Sequence, residues 1–183
     1  MGYIYLYTGT GGGKTANALG LALRSVGHGK KVVIIQFFKW RKDIGEYMIR
    51  HKLAPLYEIH QFGRPVWLGK EKKIQEFGED KFEVENVKNT DKELASKGLD
   101  FARKVLKKKP HLLVLDEINL AVHWNLLSVK DVLELLDDVP EETTVVMTGR
   151  YAGHELIDRA DFVNIIRDTK MPKTFKLTEG IQY

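Results

Sequence analysis

The glycine-dense run Thr8-Gly9-Thr10-Gly11-Gly12-Gly13-Lys14-Thr15, close to the start of the sequence, is suited to holding an anion. Consecutive glycines let backbone N–H groups turn inward around phosphate oxygens, and a helix starting there adds the positive end of its dipole. Lys14 would bring a point charge to those oxygens and Thr15 a hydroxyl ligand for Mg²⁺. A second candidate is Leu112-Leu113-Val114-Leu115-Asp116-Glu117, an apolar run that ends in two carboxylates. Beside a phosphate loop such a pair holds Mg²⁺, with Asp116 binding directly or through water and Glu117 either sharing the metal or orienting a water. The plainer alternative makes Asp116 a cap for whatever follows. A third is Thr148-Gly149-Arg150, where the arginine is either a phosphate clamp or half of a surface ion pair. The glycine loop is one residue tight, because only three residues separate Gly9 from Gly13 and Thr8 stands where G-x-x-x-x-G-K-[ST] wants glycine. Phosphates need not lie in it as they do in ordinary nucleoside triphosphatases.

These residues need elements that bring them together. Tyr3 to Tyr7 is a β-branched and aromatic run ahead of the loop, and Thr15 to Val26 carries helical spacing, with Ala18, Leu19, Ala22 and Val26 on one face. Gly27-His28-Gly29 ends it. Val32 to Phe38 reads as a continuous apolar strand of the kind buried on both faces of a parallel sheet, interrupted by Gln36. Asp43 to Leu53 reads as one short helix and Tyr57 to Gln61 as a short strand. From Phe62 to Asn89 the periodicity is lost, so a long mobile loop is expected over about residues 62–89. Thr90 and Glu93 have capping-box spacing for a helix that ends near Lys107-Lys108-Lys109, and Ser128 should cap the next one. Strands follow at His111 to Leu115, Thr143 to Met147 and Phe162 to Ile166, with a helix at His154 to Ala160 and an irregular tail from Lys170 to Tyr183. Strands and helices alternating at these lengths predict one three-layer α/β domain over 1–183 with a mainly parallel sheet. Ligands of such folds collect at the strand ends where Asp116 and Arg150 stand.

Composition narrows the chemistry further. The 183 residues are 43% hydrophobic and 30% charged, as expected of a globular chain that buries one core. There is no cysteine, which excludes disulfides, thiolate metal sites and cysteine nucleophiles. The formal net charge of +4 is spread with both signs interleaved, so a nucleic-acid partner is not expected. The six histidines have no paired metal-ligand spacing. No stretch is long and apolar enough to suggest a membrane partner, and no targeting segment is evident, so a cytoplasmic location is expected.

Together these motifs resemble the P-loop type of corrinoid adenosyltransferases, which transfer the adenosyl group of ATP to cobalt. The resemblance runs through TGTGGGKT, ALGLALRSVGHGKKVVIIQFFKW, Gly45-Glu46, LLVLDEINLAVHWNLL and TGR followed by ELIDRADFV. The tight glycine loop is itself a feature of that family. The resemblance implies a P-loop NTPase-like, RecA-like fold with ATP and Mg²⁺ (or Mn²⁺) at Gly9, Thr10, Gly11, Gly12, Gly13, Lys14 and Thr15, the triphosphate lying in the reverse sense. Asp116 and Glu117 match the acidic pair, so the expected metal set is Thr15, Asp116 and Glu117. Lys39 matches the family's Q-F-x-K segment, and Asn119 and Arg150 match positions facing the site. Position 12 is Gly where relatives usually carry Lys, which should slow turnover, and Ala16 replaces a usual second Thr. The family's G-x-G-F-T-W segment appears as Gly63-Arg64-Pro65-Val66-Trp67, one residue shorter and without its Phe.

By the same resemblance the second substrate is a corrinoid such as cobalamin, with Trp67 covering its lower face. Lys14, Glu117, Arg150 and Trp67 form the expected catalytic set. The resemblance further implies a homodimer and an electron-donating flavoprotein reductase as partner. Two other readings remain open from the residues alone: a P-loop ATPase or small-molecule phosphotransferase with Glu117 as base, and a nucleotide-binding module without corrinoid chemistry.

Overall fold

The computed structural model describes residues 2–69, 73–77, 80–172 and 178–181. In chain order the elements are β1 (Ile4–Thr8), α1 (Lys14–Gly27), β2 (Val32–Phe37), α2 (Gly45–Met48), α3 (Arg50–Leu53), β3 (Tyr57–Phe62), β4 (Trp67–Gly69), β5 (Lys73–Phe77) and β6 (Asp80–Asn86). They continue as α4 (Asn89–Leu106), β7 (Leu112–Asp116), α5 (Ile118–His123), α6 (Val129–Asp137), β8 (Thr144–Thr148), α7 (His154–Arg159) and β9 (Phe162–Ile165).

Six strands form one sheet in the order β3-β2-β7-β8-β1-β9, and every neighbouring pair runs parallel. The α/β class and the mainly parallel sheet expected from the alternating pattern are both present. Side chains of a strand point alternately to its two faces. Val33, Ile35 and Phe37 of β2 therefore join the cluster beneath α4, α5 and α6, while Val32 and Ile34 pack with Ala18 and Ala22 of α1 on the opposite face. Each large side chain that is fully buried in this way stabilises the fold by about 1.5–3 kcal/mol. Gly98 lets α4 approach β2, since a Cβ there would lie 2.8 Å from the Phe37 ring.

The register decides which residues share the functional edge. Gln36 pairs with Asp116, Leu115 with Met147, and Tyr7 with Thr148, so the last residues of β2, β7, β8 and β1 finish side by side. The strand β8 lies between the glycine-loop strand β1 and the acidic strand β7.

Three local expectations are corrected. The segment 62–89 is not a structureless loop: β4 and β6 pair in parallel and β5 and β6 antiparallel, giving a second, three-stranded sheet. Its strands are short and lack a clean apolar alternation, so periodicity gave no signal. The helix expected over Asp43 to Leu53 is two single turns, α2 and α3, that meet at Ile49. Helix α4 starts at Asn89 rather than at a Thr90 cap, because the Asp91 carboxylate accepts a 2.8 Å hydrogen bond from the Lys88 N–H. Ser128 caps α6 as expected, its hydroxyl accepting from the Asp131 N–H. Among the described residues no helix is long and apolar enough to cross a membrane.

Candidate functional site

The glycine loop connects β1 to α1 and leaves the helix start open. Gly13, at the N-cap, has φ 93° and offers no side chain, and the first turn of α1 carries no acidic residue. The first-turn N–H groups and the positive end of the dipole thus remain available for an anion. By contrast α4 and α6 each carry an aspartate in the first turn. Gly9, with φ 106°, is required for a different reason, because a Cβ there would lie 2.3 Å from the Ile166 carbonyl oxygen. The loop is further backed by a 3.0 Å hydrogen bond from the Gly11 N–H to that oxygen. Lys14 folds back over the loop and donates to the Gly9 carbonyl at 3.0 Å and to the Gly11 carbonyl. Burial, with Arg150 adding to it, lowers the Lys14 pKa from its ordinary value.

Asp116 is the most constrained polar group of the site. Its Oδ1 accepts from the hydroxyls of Thr15 at 2.8 Å and Thr148 at 2.7 Å, and its Oδ2 accepts from Gln36 at 3.1 Å. The Lys39 ammonium is 3.1 Å from the same Oδ2 and 3.5 Å from Glu46. Burial works to raise the Asp116 pKa, but Lys39 and the two hydroxyls outweigh it and hold the carboxyl below its ordinary value. The same carboxylates overcome burial at Lys39 and raise its pKa.

Glu117 is arranged in the opposite way. It has φ 67°, a left-handed conformation that costs about 1–3 kcal/mol and tends to occur at functional sites. Burial, reinforced by repulsion from Asp116, raises its pKa. Among the described residues, Glu117 Oε2 and Asn119 Oδ1 are buried without a hydrogen-bond partner. Glu117 is the N-cap of α5 and Asn119 lies in its first turn, and a buried polar atom without a partner costs about 1–3 kcal/mol unless a ligand satisfies it.

Two cavities open along this edge. One, of about 890 Å³, is lined by Gly11 to Ala16 together with Lys39, Glu117 and Arg150, and also by Gly180 and Ile181 near the end of the chain. The other, of about 310 Å³, is mainly apolar and is lined by Trp40, Trp67 and Trp124, the three tryptophans of the sequence, with Phe38 and Leu120. Trp40 and Trp67 meet edge to face at 5.3 Å, and Phe38 tilts against Trp124 at 5.5 Å. Lys39, Glu46 and Glu117 line both cavities, so the two are joined at the end of β2 and β7.

The structure therefore brings together Gly11, Gly12, Gly13, Lys14, Thr15, Ala16, Lys39, Glu117 and Arg150 at one cavity, with Trp67 at its neighbour. Gly9, Thr10, Asn119 and the fully buried Asp116 do not line the nucleotide-sized cavity. Asn119 instead donates from Nδ2 to the carbonyls of Tyr7 at 3.3 Å and Gly149 at 3.1 Å, tying two strand ends together. Sequence reasoning missed Gln36, Thr148, Trp40, Trp124 and Asp168, whose carboxylate accepts from the Gly12 N–H at 3.2 Å. A polar Gln36 inside an otherwise apolar buried strand was the signal available for one of them.

Comparison with known proteins fits this geometry. The family model described as ATP:corrinoid adenosyltransferase BtuR/CobO/CobP matches residues 1–183. The chain belongs to this family. A corrinoid adenosyltransferase of Escherichia coli K12 is 31% identical over 170 residues, covering 92% of this chain and 78% of that protein. The corrinoid adenosyltransferase CobA of Salmonella typhimurium is 31% identical over 184 residues, covering all of this chain and 86% of the relative. A Sinorhizobium corrinoid adenosyltransferase is 28% identical over 187 residues, covering 80% of its length. Within the corrinoid adenosyltransferase family, Gly12, Ala16 and the shortened 63–67 segment are the positions where this site departs from the pattern implied by resemblance.

Proposed function

We propose that this chain is an ATP:corrinoid adenosyltransferase that moves the 5′-deoxyadenosyl group of ATP onto the Co(I) centre of a reduced corrinoid and releases triphosphate. The observation that carries this reading is the junction at Lys39 and Glu117, where a phosphate-ready cavity opens into a tryptophan-walled apolar one. A mainly apolar, tryptophan-lined chamber beside the phosphate cavity suits a flat apolar co-substrate better than water or a small polar acceptor.

Co(I) carries the electron pair that attacks the ribose 5′ carbon. A Co–C bond forms, the C5′–O5′ bond breaks with its electrons passing to triphosphate, and cobalt is formally oxidised from Co(I) to Co(III). No proton moves in that step, so no general base is needed. The protein's work is alignment of the two substrates and stabilisation of charge on the leaving group. In this reading Lys14, Arg150 and the N–H groups from Gly13 to Thr15 hold the triphosphate. The tryptophan wall excludes water from the nucleophile and orients the corrin ring, with Trp67 against one of its faces.

The donor set suits Mg²⁺, a hard ion that takes few protein ligands and several waters. Thr15 and Asp116 present oxygens 2.8 Å apart, and the unpartnered Glu117 Oε2 belongs to the next residue of the chain. These residues would hold Mg²⁺ or Mn²⁺ together with the phosphates, and the ion would supply charge neutralisation on the leaving group. We further place the enzyme in the cytoplasm as a homodimer of single-domain chains, supplied with Co(I) by a flavoprotein reductase.

Phosphorus NMR of an anaerobic reaction with MgATP and chemically reduced cobalamin tests the proposal. Tripolyphosphate without stoichiometric ADP is expected. ADP formed at a comparable rate without corrinoid would overturn the reading in favour of an ATPase.

A further inference from the structure

We propose that Arg64 is the positioning residue for Trp67, fixing the outer wall of the aromatic cavity by tying the 63–67 turn to α4 and β6. The proposal rests on the corrinoid reading of that cavity. Arg64 lines neither the glycine-loop cavity nor the tryptophan-walled one, yet its guanidinium makes four hydrogen bonds to residues of α4 and β6. Its Nε donates to Asp91 Oδ1 at 2.7 Å and its Nη2 to Asp91 Oδ2 at 3.1 Å, a two-pronged fork. The Nη1 donates to Glu85 at 2.7 Å, and the Nη2 also reaches the Asn86 carbonyl at 3.1 Å. The Asp91 side chain is 1% exposed and that of Arg64 is 16% exposed, so this pair is shielded from water in a way surface ion pairs are not.

The chain between this anchor and Trp67 has little slack. Pro65 has a fixed φ, and the Val66 N–H donates to the Arg64 carbonyl at 2.7 Å. On the near side Gly63 is pressed against the backbone ahead of Lys39, where a Cβ would lie 2.3 Å from the Phe38 carbonyl carbon. On the far side Trp67 pairs with Val84 and Leu68 with Glu85, so the residue that Arg64 grips on β6 stands beside Trp67's own strand partner. The turn is thus registered twice: by Gly63 on the Phe38–Lys39 backbone and by Arg64 on α4 and β6. Those two constraints set how far Trp67 stands from Trp40.

Arg64→Ala and Arg64→Lys test this, since lysine keeps the charge but loses the fork. Corrinoid affinity is read by quenching of tryptophan fluorescence with hydroxocobalamin, and both KM values by anaerobic assay. Arg64→Ala should raise the corrinoid KM and the quenching Kd by about 10-fold and Arg64→Lys by about 3-fold, with the ATP KM within about twofold. Equal rises in both KM values, or unchanged corrinoid affinity in either folded variant, would overturn the proposal. If Arg64→Ala does not fold, Arg64→Lys and Asp91→Asn decide it by the same split. Absence of quenching in the unaltered protein would remove the corrinoid reading as well as the proposal, whereas quenching that the substitutions do not change removes only the proposal.

Discussion

The two halves of the site are built by different means. On the nucleotide side, backbone and buried hydroxyls set the geometry: the Gly11 N–H bonds to Ile166, and Asp116 is gripped by Thr15, Thr148 and Gln36 from three neighbouring elements. Each of those partners is placed by sheet register or by the turn entering α1. On the aromatic side, ring contacts and ion pairs join segments far apart in the chain: Trp40 with Trp67, Phe38 with Trp124, and Arg64 with Asp91. Half the site is therefore as rigid as the sheet. The other half is only as well placed as the anchors of a small three-stranded sheet.

Substitutions that should act on one side alone test this division. The largest effect is expected from Lys14→Ala, which removes the loop's ammonium. Productive use of ATP should fall by roughly 100- to 1,000-fold, the loss typical of removing one preorganised charge-stabilising group. Titration calorimetry with MgATP should show the loss, while quenching by hydroxocobalamin stays within about twofold because the aromatic wall is untouched. Quenching that weakened in parallel would mean the halves are not separable.

Trp67→Ala is the mirror experiment. Losing the ring pair with Trp40 and the surface it covers should slow adenosylation by about 10-fold or more, with ATP affinity nearly constant. Equal loss of both would point to a folding defect. A smaller gain is expected from Gly12→Lys, which would restore a positive charge at a position where a Cβ meets open space among the described residues. Turnover should rise about threefold, within the range of a single exposed charge, and Asp168 beside the Gly12 N–H limits the gain by pairing with the new lysine.

The smallest effect concerns stability. Glu117 has a raised pKa, chiefly through burial, so its ionised form is disfavoured in the folded state. The folded protein therefore binds a proton at Glu117 more tightly than the unfolded chain does, and the associated stabilisation is present at low pH and lost as pH rises through the raised value. Glu117→Gln stays neutral throughout. It should leave the melting temperature unchanged near about pH 4 and raise it by about 3 °C near about pH 8, the shift that roughly 1 kcal/mol produces in a chain of this size. Differential scanning fluorimetry across that range checks it, and a gain that grew toward low pH would contradict the sign.

Much of the nucleotide half was legible in the residues. Glycine spacing reports a backbone that must expose N–H groups, and Leu112–Asp116 reports a buried strand ending at the ligand edge, because both depend on local conformation. The α/β class followed from the same local signals. What the sequence left undetermined were contacts between distant segments. Nothing in the spacing of Gln36, Asp116 and Thr148 announces that they share hydrogen bonds, since only the order β2-β7-β8 brings them together. Nothing in the run from 62 to 89 announces three strands, because short strands stabilised by docking carry little periodicity of their own. Helix α4 starts one residue before the expected Thr90 cap, where the Asp91 carboxylate accepts from the Lys88 N–H and is also paired with Arg64 from another segment. Local backbone preference is written residue by residue along the chain, whereas the meeting of three tryptophans around one cavity exists only after the six-stranded sheet has ordered its strands and the three-stranded sheet has found its anchor.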